Sequence, residues 1–396
     1  MDGGRGVRVL YLTDSLSDLD GVGRYAMCLI EACQKLRPDL EPEILLARKH
    51  RPTSSLVPKD WSIRVALPPD YFYYMSPLRF AAWRALGTLQ VWRSARGVDL
   101  VHAIKDYPHS LIGVDGASLA GVPCVATGHG TYTIQPLLSE RHGARALSTS
   151  RRMGGLISVS NYTKSRWLEA VPPGTLGEGQ PQVVPNCVDA ERYVHAPEIG
   201  ERPWHHFPFS LTIGEVKQRK GHHLGLGAWL KAAQKFPDWH HVIVGRCSGD
   251  DYERDLRQRI EAAGMTSRVH VLGNISEDEK VDLLQRAEIF LHTPITADDG
   301  GFEGFGIVYL EASAAGTAVI GTNDCGAEDA ILDSVTGYLV PQTEGSVQAA
   351  LERLMADGEL RRTLGAQGRL HAGANTWEHN ARAVLELYDQ VLARNT

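Results

Sequence analysis

Phe209-Ser210-Leu211-Thr212-Ile213-Gly214-Glu215-Val216-Lys217-Gln218-Arg219-Lys220-Gly221 reads as a strand, a cationic turn and the approach to a helix that starts near His222. A short apolar run, then glycine, then helical spacing is a βα unit. Its place in the chain makes it decisive. It follows a stretch (194–209) broken by Pro197, Pro203 and Pro208, and it restarts a rhythm the chain has already completed once. Before it, strand-like runs at 7–12, 44–47, 63–67, 100–104, 124–127, 156–159 and 182–184 alternate with longer amphipathic stretches. After it come runs at 241–244, 269–272, 289–292, 317–320 and 338–340. Such alternation means parallel sheets, and two rounds of it mean two doubly wound α/β domains. The expected boundaries are 1–195 for the first domain, 196–208 for a linker and 209–375 for the second domain. Residues 376–396 are expected to form a helix whose Trp377, Ala381, Val384, Leu385, Tyr388, Val391 and Leu392 share one face and need a groove to bury it.

The length of 396 residues suits two or three domains at about 100 to 200 residues each. With 43% apolar and 22% charged residues the chain can bury sizeable cores, which excludes disordered, collagenous and disulfide-scaffold classes. No apolar run approaches the roughly 18 residues that cross a bilayer. Residues 1–8 run straight into a strand without the apolar stretch and small-residue cleavage pattern of a secretory leader. Cys28, Cys33, Cys124, Cys187, Cys247 and Cys325 are scattered without CxxC spacing, which reads as reduced thiols of a cytoplasmic protein and gives zinc no site. The net charge of −6 hides an asymmetry: 22 Lys and Arg against 18 Asp and Glu up to His195, then 19 against 29. An acidic second half argues against nucleic acid as a partner.

In doubly wound sheets ligands sit at the carboxyl ends of the strands, so the loops there carry the chemistry. Gly21-Val22-Gly23-Arg24-Tyr25-Ala26 fits the G-x-G-x-x-A dinucleotide pattern. However, residues 13–20 intervene between strand and glycines and bring Asp14, Asp18 and Asp20, which would repel a pyrophosphate. The acidic residue expected after the second strand is replaced by Ala47-Arg48-Lys49. NAD is therefore disfavoured, and the loop is either a phosphate contact at a helix N-terminus or a simple turn. Thr127-Gly128-His129-Gly130-Thr131 ends another strand, and its glycines would let a ligand approach His129; a structural histidine is the alternative. Lys217, Arg219 and Lys220 at a helix start form an anion site, with arginine able to clamp two phosphate oxygens, unless they only face solvent.

The most informative loop is Asp298-Asp299-Gly300-Gly301-Phe302-Glu303-Gly304-Phe305-Gly306-Ile307-Val308-Tyr309-Leu310-Glu311. If a helix begins near Phe305, Glu303 and Glu311 share a face about 12 Å apart at 1.5 Å per residue. Two carboxylates so spaced can each accept from a pair of hydroxyls. Gly304 and Gly306 would expose N–H groups for a phosphate between them. Glu311 lies in an apolar stretch, where a buried carboxylate needs a partner. The Asp298-Asp299 pair reads as a solvated loop rather than a magnesium site.

These residues together resemble the retaining glycosyltransferases of family 4, which have GT-B architecture: two facing Rossmann-like domains. Glu303 to Glu311 is similar to that family's E-x7-E motif, Gly21-Val22-Gly23 to its N-terminal glycine loop, and Thr127 to Gly130 to its His loop. Val184-Pro185-Asn186-Cys187-Val188-Asp189 is similar to its interdomain segment, and Gly337-Tyr338-Leu339-Val340-Pro341 to its G-x-L-V-P strand. Trp377 stands where its cross-over helix, returning to the N-terminal domain, begins. Gly214-Glu215 departs from the usual Gly-Arg, Cys187 from a glycine, and Cys325-Gly326 from Gly-Gly.

The resemblance implies a nucleotide-diphosphate-sugar donor, net retention, no metal and no cofactor. It implies that Arg219 and Lys220 bind the diphosphate, Glu311 the ribose and Glu303 the transferred sugar. His129 would touch that sugar, and Gly21, Gly23, Phe305, Gly306 and Ile307 would complete the donor site. A sugar-nucleotide 2-epimerase, a pyridoxal-dependent phosphorylase and a non-catalytic sugar-nucleotide sensor remain alternative uses of the same architecture. The acceptor is a sugar, a small molecule or a lipid-linked molecule. A lipid-linked acceptor finds support in residues 71–97, which carry Arg79, Arg84, Arg93 and Arg96 among seven aromatic rings with no acid. That is the composition of a helix lying on the inner face of a membrane, or of a helix covering the first sheet with its arginines in solvent.

Overall fold

The computed structural model describes residues 6–17, 20–48, 57–176, 180–297 and 300–395. The chain divides into two units, one formed by Met1–Asn186 with Trp377–Thr396 and the other by Cys187–Thr376. The first holds seven strands: β1 (Arg8–Thr13), β2 (Glu41–Ala47), β3 (Ser62–Leu67), β4 (Leu100–Ala103), β5 (Cys124–Gly128), β6 (Gly155–Ser158) and β7 (Gln182–Val183). They pair in the order β3-β2-β1-β4-β5-β6-β7, every pair parallel. The second unit holds β8 (Phe209–Ile213), β9 (His240–Val244), β10 (Val269–Gly273), β11 (Ile289–Leu291), β12 (Ala318–Thr322) and β13 (Gly337–Val340), in the order β10-β9-β8-β11-β12-β13 and again all parallel.

The central strands of both sheets are buried on two faces, which is why they read as near-continuous apolar runs instead of alternating ones. Every residue of β4, β8 and β12 is buried. In each sheet the strand order reverses once, between β1 and β4 in the first and between β8 and β11 in the second. Helices leave those two strands toward opposite faces, so the loops at their carboxyl ends part and leave a crevice.

The boundary falls between Asn186 and Cys187, earlier than the expected 195, and the proline-broken stretch is not a bare linker. Tyr193 and Trp204 are buried in the second unit. The Trp204 indole donates to Asp282 at 2.7 Å, and the Gln285 amide donates to the Tyr193 carbonyl at 2.8 Å. Apolar anchors between the prolines outweigh the prolines themselves.

The final helix, Trp377–Ala393, packs in the first unit against the helix Gly21–Leu36 and β6. It buries Ala381, Val384, Leu385, Tyr388 and Val391, as the helical spacing predicts, with Leu387 in addition; Leu392 is only half-buried.

Within 71–97 the chain forms a 3-10 turn, Asp70–Tyr74, and then the helix Pro77–Ala95. This helix packs on the neighbouring helix His109–Ala120, with Gly87 close to Ile112 and Val91 close to Gly116. Its arginines divide. Arg84 pairs with Asp115 at 2.7 Å, whereas Arg79, Arg93 and Arg96 are exposed. Ser94, beside Arg93 on the same helix, is buried and accepts from Arg64 at 2.7 Å.

Candidate active site

The crevice of the second unit is built by three loops. The chain leaves β8 through Gly214, makes a 3-10 turn at Gln218–Lys220, and enters the helix His222–Ala232 by way of Gly221. Gly221 has φ 66°, and a Cβ there would stand 1.6 Å from the Thr293 carbonyl oxygen, so no other residue fits. That approach lets the Thr293 hydroxyl donate to the Gly221 carbonyl at 2.9 Å while the Ile295 N–H donates to the Arg219 carbonyl at 3.1 Å. The β8 and β11 loops are thus stitched together. From the β12 side, the Gly326 N–H donates to the Glu303 carbonyl at 2.8 Å.

These ties gather four ionisable side chains. The Lys220 ammonium donates to Glu303 Oε2, the Arg219 guanidinium stands 3.6 Å from the same oxygen, and His292 Nε2 stands 3.8 Å from it. Glu303 is buried. Burial would raise its pKa, but Lys220 above all, then His292 and Arg219, hold it well below the usual carboxylate range. Lys220 is pulled below an ordinary lysine by burial, an effect Glu303 offsets only in part and Arg219 adds to. Burial likewise lowers His292, so its ring is neutral at pH 7. The result is a buried, ionised glutamate facing two cations.

The E-x7-E stretch differs from the expected geometry. The helix is Ile307–Ala315, capped by Gly306 in the left-handed region at φ 80°. Glu303 therefore lies in the loop ahead of the helix, and the estimate of one helical face with 12 Å between carboxylates does not apply to it. Glu311 is inside the helix, buried, with both oxygens 2.7 Å from the Lys280 ammonium. Phe305 is buried and Ile307 half-buried at the helix start. Lys217, the first cation of the expected anion site, pairs with Glu215, which Arg246 also holds. Asp298, Asp299 and Asp18 lie outside the described residues.

In the first unit the glycine loop has a packing purpose. The Asp20 carboxylate caps the helix Gly21–Leu36 by accepting from the Gly23 N–H at 2.7 Å, so that donor is already engaged. A Cβ on Gly23 would stand 2.7 Å from both Ser15 Oγ and Ser17 N, whereas one on Gly21 would meet nothing within 4 Å. Only the first glycine position is open to a ligand. His129 donates from its backbone to Asp106 at 3.0 Å, and its Nε2 lies 2.9 Å from the Ile104 carbonyl, which leaves Nδ1 as the ring's acceptor. Tyr25 holds the ring edge-on at 4.9 Å between centroids.

Arg219, Lys220 and Glu303 thus come together as the sequence suggests. His292 and Lys280 were missed. His292 closes the strand run 289–292 and could have been singled out as an ionisable residue at a strand's carboxyl end. Lys280, in the helix Glu277–Arg286, has no local signal at all.

A two-sheet fold with Arg219 and Lys220 beside a buried Glu303 at one switch point defines a class, and comparison with known proteins agrees with it. Residues 202–371 match the family described as glycosyl transferases group 1, and residues 19–192 match glycosyltransferase family 4. The chain is a glycosyltransferase of GT-B architecture. Within that class it is of the GT4 type. It is 26% identical over 332 residues, 82% of each chain, to a phosphatidyl-myo-inositol mannosyltransferase of Mycobacterium tuberculosis. It is 29% identical over 248 residues to a GDP-mannose-dependent alpha-(1-6)-phosphatidylinositol monomannoside mannosyltransferase of Mycolicibacterium smegmatis, covering 60% of this chain and 63% of that one. The fold is that of Anabaena HepE, solved with UDP and glucose (TM-score 0.75, 19% identity, 97% and 99% of the two chains). It is also that of a Rickettsia africae glycosyltransferase (TM-score 0.75, 18% identity, 98% and 99%).

Proposed function

We propose that this glycosyltransferase moves a hexosyl group from a nucleoside-diphosphate sugar to an acceptor hydroxyl, with retention of configuration and without a metal ion. The observation that carries the reading is Arg219 and Lys220 beside the buried Glu303 at the switch point of the second sheet. Arriving phosphates draw the two cations, and the N–H groups of the helix start at Gly306 and Ile307, beside Phe305, add a positive dipole end. Glu303, relieved of Lys220, then accepts from hydroxyls of the transferred sugar, Glu311 serves the ribose, and His129 is the sugar-facing residue of the N-terminal unit. The bond from the sugar's anomeric carbon to the leaving phosphate oxygen breaks as the acceptor oxygen bonds to that carbon on the same face. The acceptor's proton passes to the leaving phosphate, whose growing charge Arg219 and Lys220 stabilise. The relatives' names speak for transfer rather than for epimerisation or sensing. The test is a thermal-shift screen of nucleotide-sugars, GDP-mannose and UDP-glucose included, then proton NMR of the product made in EDTA. A product anomer matching the donor's supports the reading; an inverted one, or a requirement for metal, defeats it.

The second part of the proposal is that the N-terminal unit works at a membrane surface on an amphiphilic acceptor. Its support is an exposed stripe on the helix Pro77–Ala95 where Leu78 (85% exposed) and Leu86 (48%) alternate with Arg79 and Arg93. Apolar and cationic side chains on one face suit an anionic lipid surface. Among the described residues no helix is long and apolar enough to cross a membrane.

A further inference from the structure

The first sheet has a switch point of its own, and it is furnished. β1 runs into Asp14 and β4 into Lys105, and the Ile104 and Lys105 N–H groups both donate to the Leu12 carbonyl, which locks the two strand ends side by side. The buried Lys105 ammonium lies 2.8 Å from Asp14 and 3.6 Å from Asp70, and 5.8 Å from the centre of the Tyr132 ring. Burial would pull its pKa down, and Asp14, followed by Asp70 and Asp106, more than reverses that. In front of the ion pair opens a recess of about 60 Å³ lined by Asp70, Tyr71, Tyr73, Tyr74, Lys105 and Tyr132. Three of those rings are substantially exposed, Tyr74 at 66%, Tyr71 at 46% and Tyr132 at 44%. Core packing does not account for so many half-exposed aromatics around one charged floor.

We propose that this recess binds the acceptor, and that the part it takes is an uncharged polyhydroxylated ring. Calling the ligand the acceptor rests on the transferase reading above; the choice of ligand chemistry does not. The gap of 3.6 Å between Lys105 and Asp70 is too long for a direct hydrogen bond. A hydroxyl fits it because one oxygen can accept from the ammonium and donate to the carboxylate at the same time. A phosphate oxygen can do only the first. Charge points the same way, since Lys105, the one cation among the described residues lining the recess, faces the carboxylates of Asp14 and Asp70, leaving the floor net negative and hostile to an anion. Tyrosine supplies the rest: ring faces for the C–H face of a saturated ring and phenol groups for its outer hydroxyls. The recess takes one edge of such a ring, and the exposed tyrosines flank the remainder.

Saturation-transfer NMR on the full chain tests this with myo-inositol and methyl α-mannopyranoside against myo-inositol 1-phosphate and mannose 6-phosphate. The uncharged probes are expected to bind the wild type more tightly than the phosphorylated ones. Asp70→Asn and Tyr132→Ala, both at partly exposed positions, are each expected to weaken the uncharged probes at least tenfold, and Asp70→Asn to narrow the preference against phosphate. Tighter binding of the phosphorylated probes, absent binding of the uncharged ones, or uncharged-probe affinity unchanged in both variants would overturn the proposal. GDP and UDP titrations run alongside: retained nucleotide binding shows the variants are folded. A wild type that binds neither nucleotide indicts the transferase reading while leaving the polyol result to be judged by itself.

Discussion

Lys280 and Glu311 form a closed pair: the ammonium lies 2.7 Å from both carboxylate oxygens, and the side chains are only 12% and 3% exposed. Removing one member strands the other's charge in a dry interior, which costs about 3 to 5 kcal/mol. Glu311→Gln is therefore expected to lower thermal stability as well as nucleotide affinity, and Lys280→Met/Glu311→Gln to recover stability without recovering affinity. Glu303→Gln, whose partner is the transferred sugar, should reduce turnover more than affinity for the free nucleoside diphosphate. Melting curves and calorimetric titrations check both; equal effects of the two glutamine variants on nucleoside-diphosphate affinity would contradict the division of roles.

Donor binding should weaken as pH rises. Lys220 titrates below an ordinary lysine because it is buried, and only its protonated form attracts phosphate. Affinity for a nucleoside diphosphate should decline as pH rises through that lowered pKa. Lys220→Met should bind more weakly at neutral pH and show no such decline. Titrations between pH 7 and 10 read this directly, and the same slope in both proteins would count against Lys220.

Acid should act through buried histidines. His102 sits between the Tyr388 hydroxyl at 2.6 Å and the Thr127 hydroxyl at 2.8 Å, and burial lowers its pKa to about 3. In the unfolded chain it would titrate near 6.5, so between those values the unfolded state binds more protons and stability falls as pH falls. From pH 6.5 to pH 5, above the range where most carboxylates titrate, this amounts to about 2 kcal/mol. His222, lowered by burial to about 3, adds a similar amount in the second unit. Urea denaturation at pH 7 and pH 5 should show the loss, and His102→Gln should shrink it.

The stripe on Pro77–Ala95 predicts salt-sensitive sedimentation with anionic liposomes at about 1 kcal/mol per arginine near the surface. Replacing Arg79 and Arg93 with glutamate should abolish it. Sedimentation that ignores that change, or none at low salt, rules out this docking face.

Much of the fold was legible because a strand buried on both faces is locally simple: every strand-like run in the sequence corresponds to a strand, and the periodicity of 377–393 marks a real helix. The linker was misread since prolines are visible locally and the anchoring of Trp204 on Asp282 is not. The helix start was misplaced by two residues because Gly306 adopts a left-handed cap that only packing against Tyr309 reveals. In the site, residues flanked by glycine could be found. Lys280 and Lys105 could not be assigned, because what singles them out is a partner 31 to 91 residues away, and pairing across that distance leaves no local trace.

The central claim is that Arg219 and Lys220 hold the donor's diphosphate. Isothermal titration of the nucleoside diphosphate of the preferred donor into wild type, Arg219→Ala and Lys220→Ala measures it. Loss of one charge-assisted phosphate contact costs about 1.5 to 3 kcal/mol, so each variant should bind roughly ten- to hundredfold more weakly. Unchanged affinity in both variants would contradict the account.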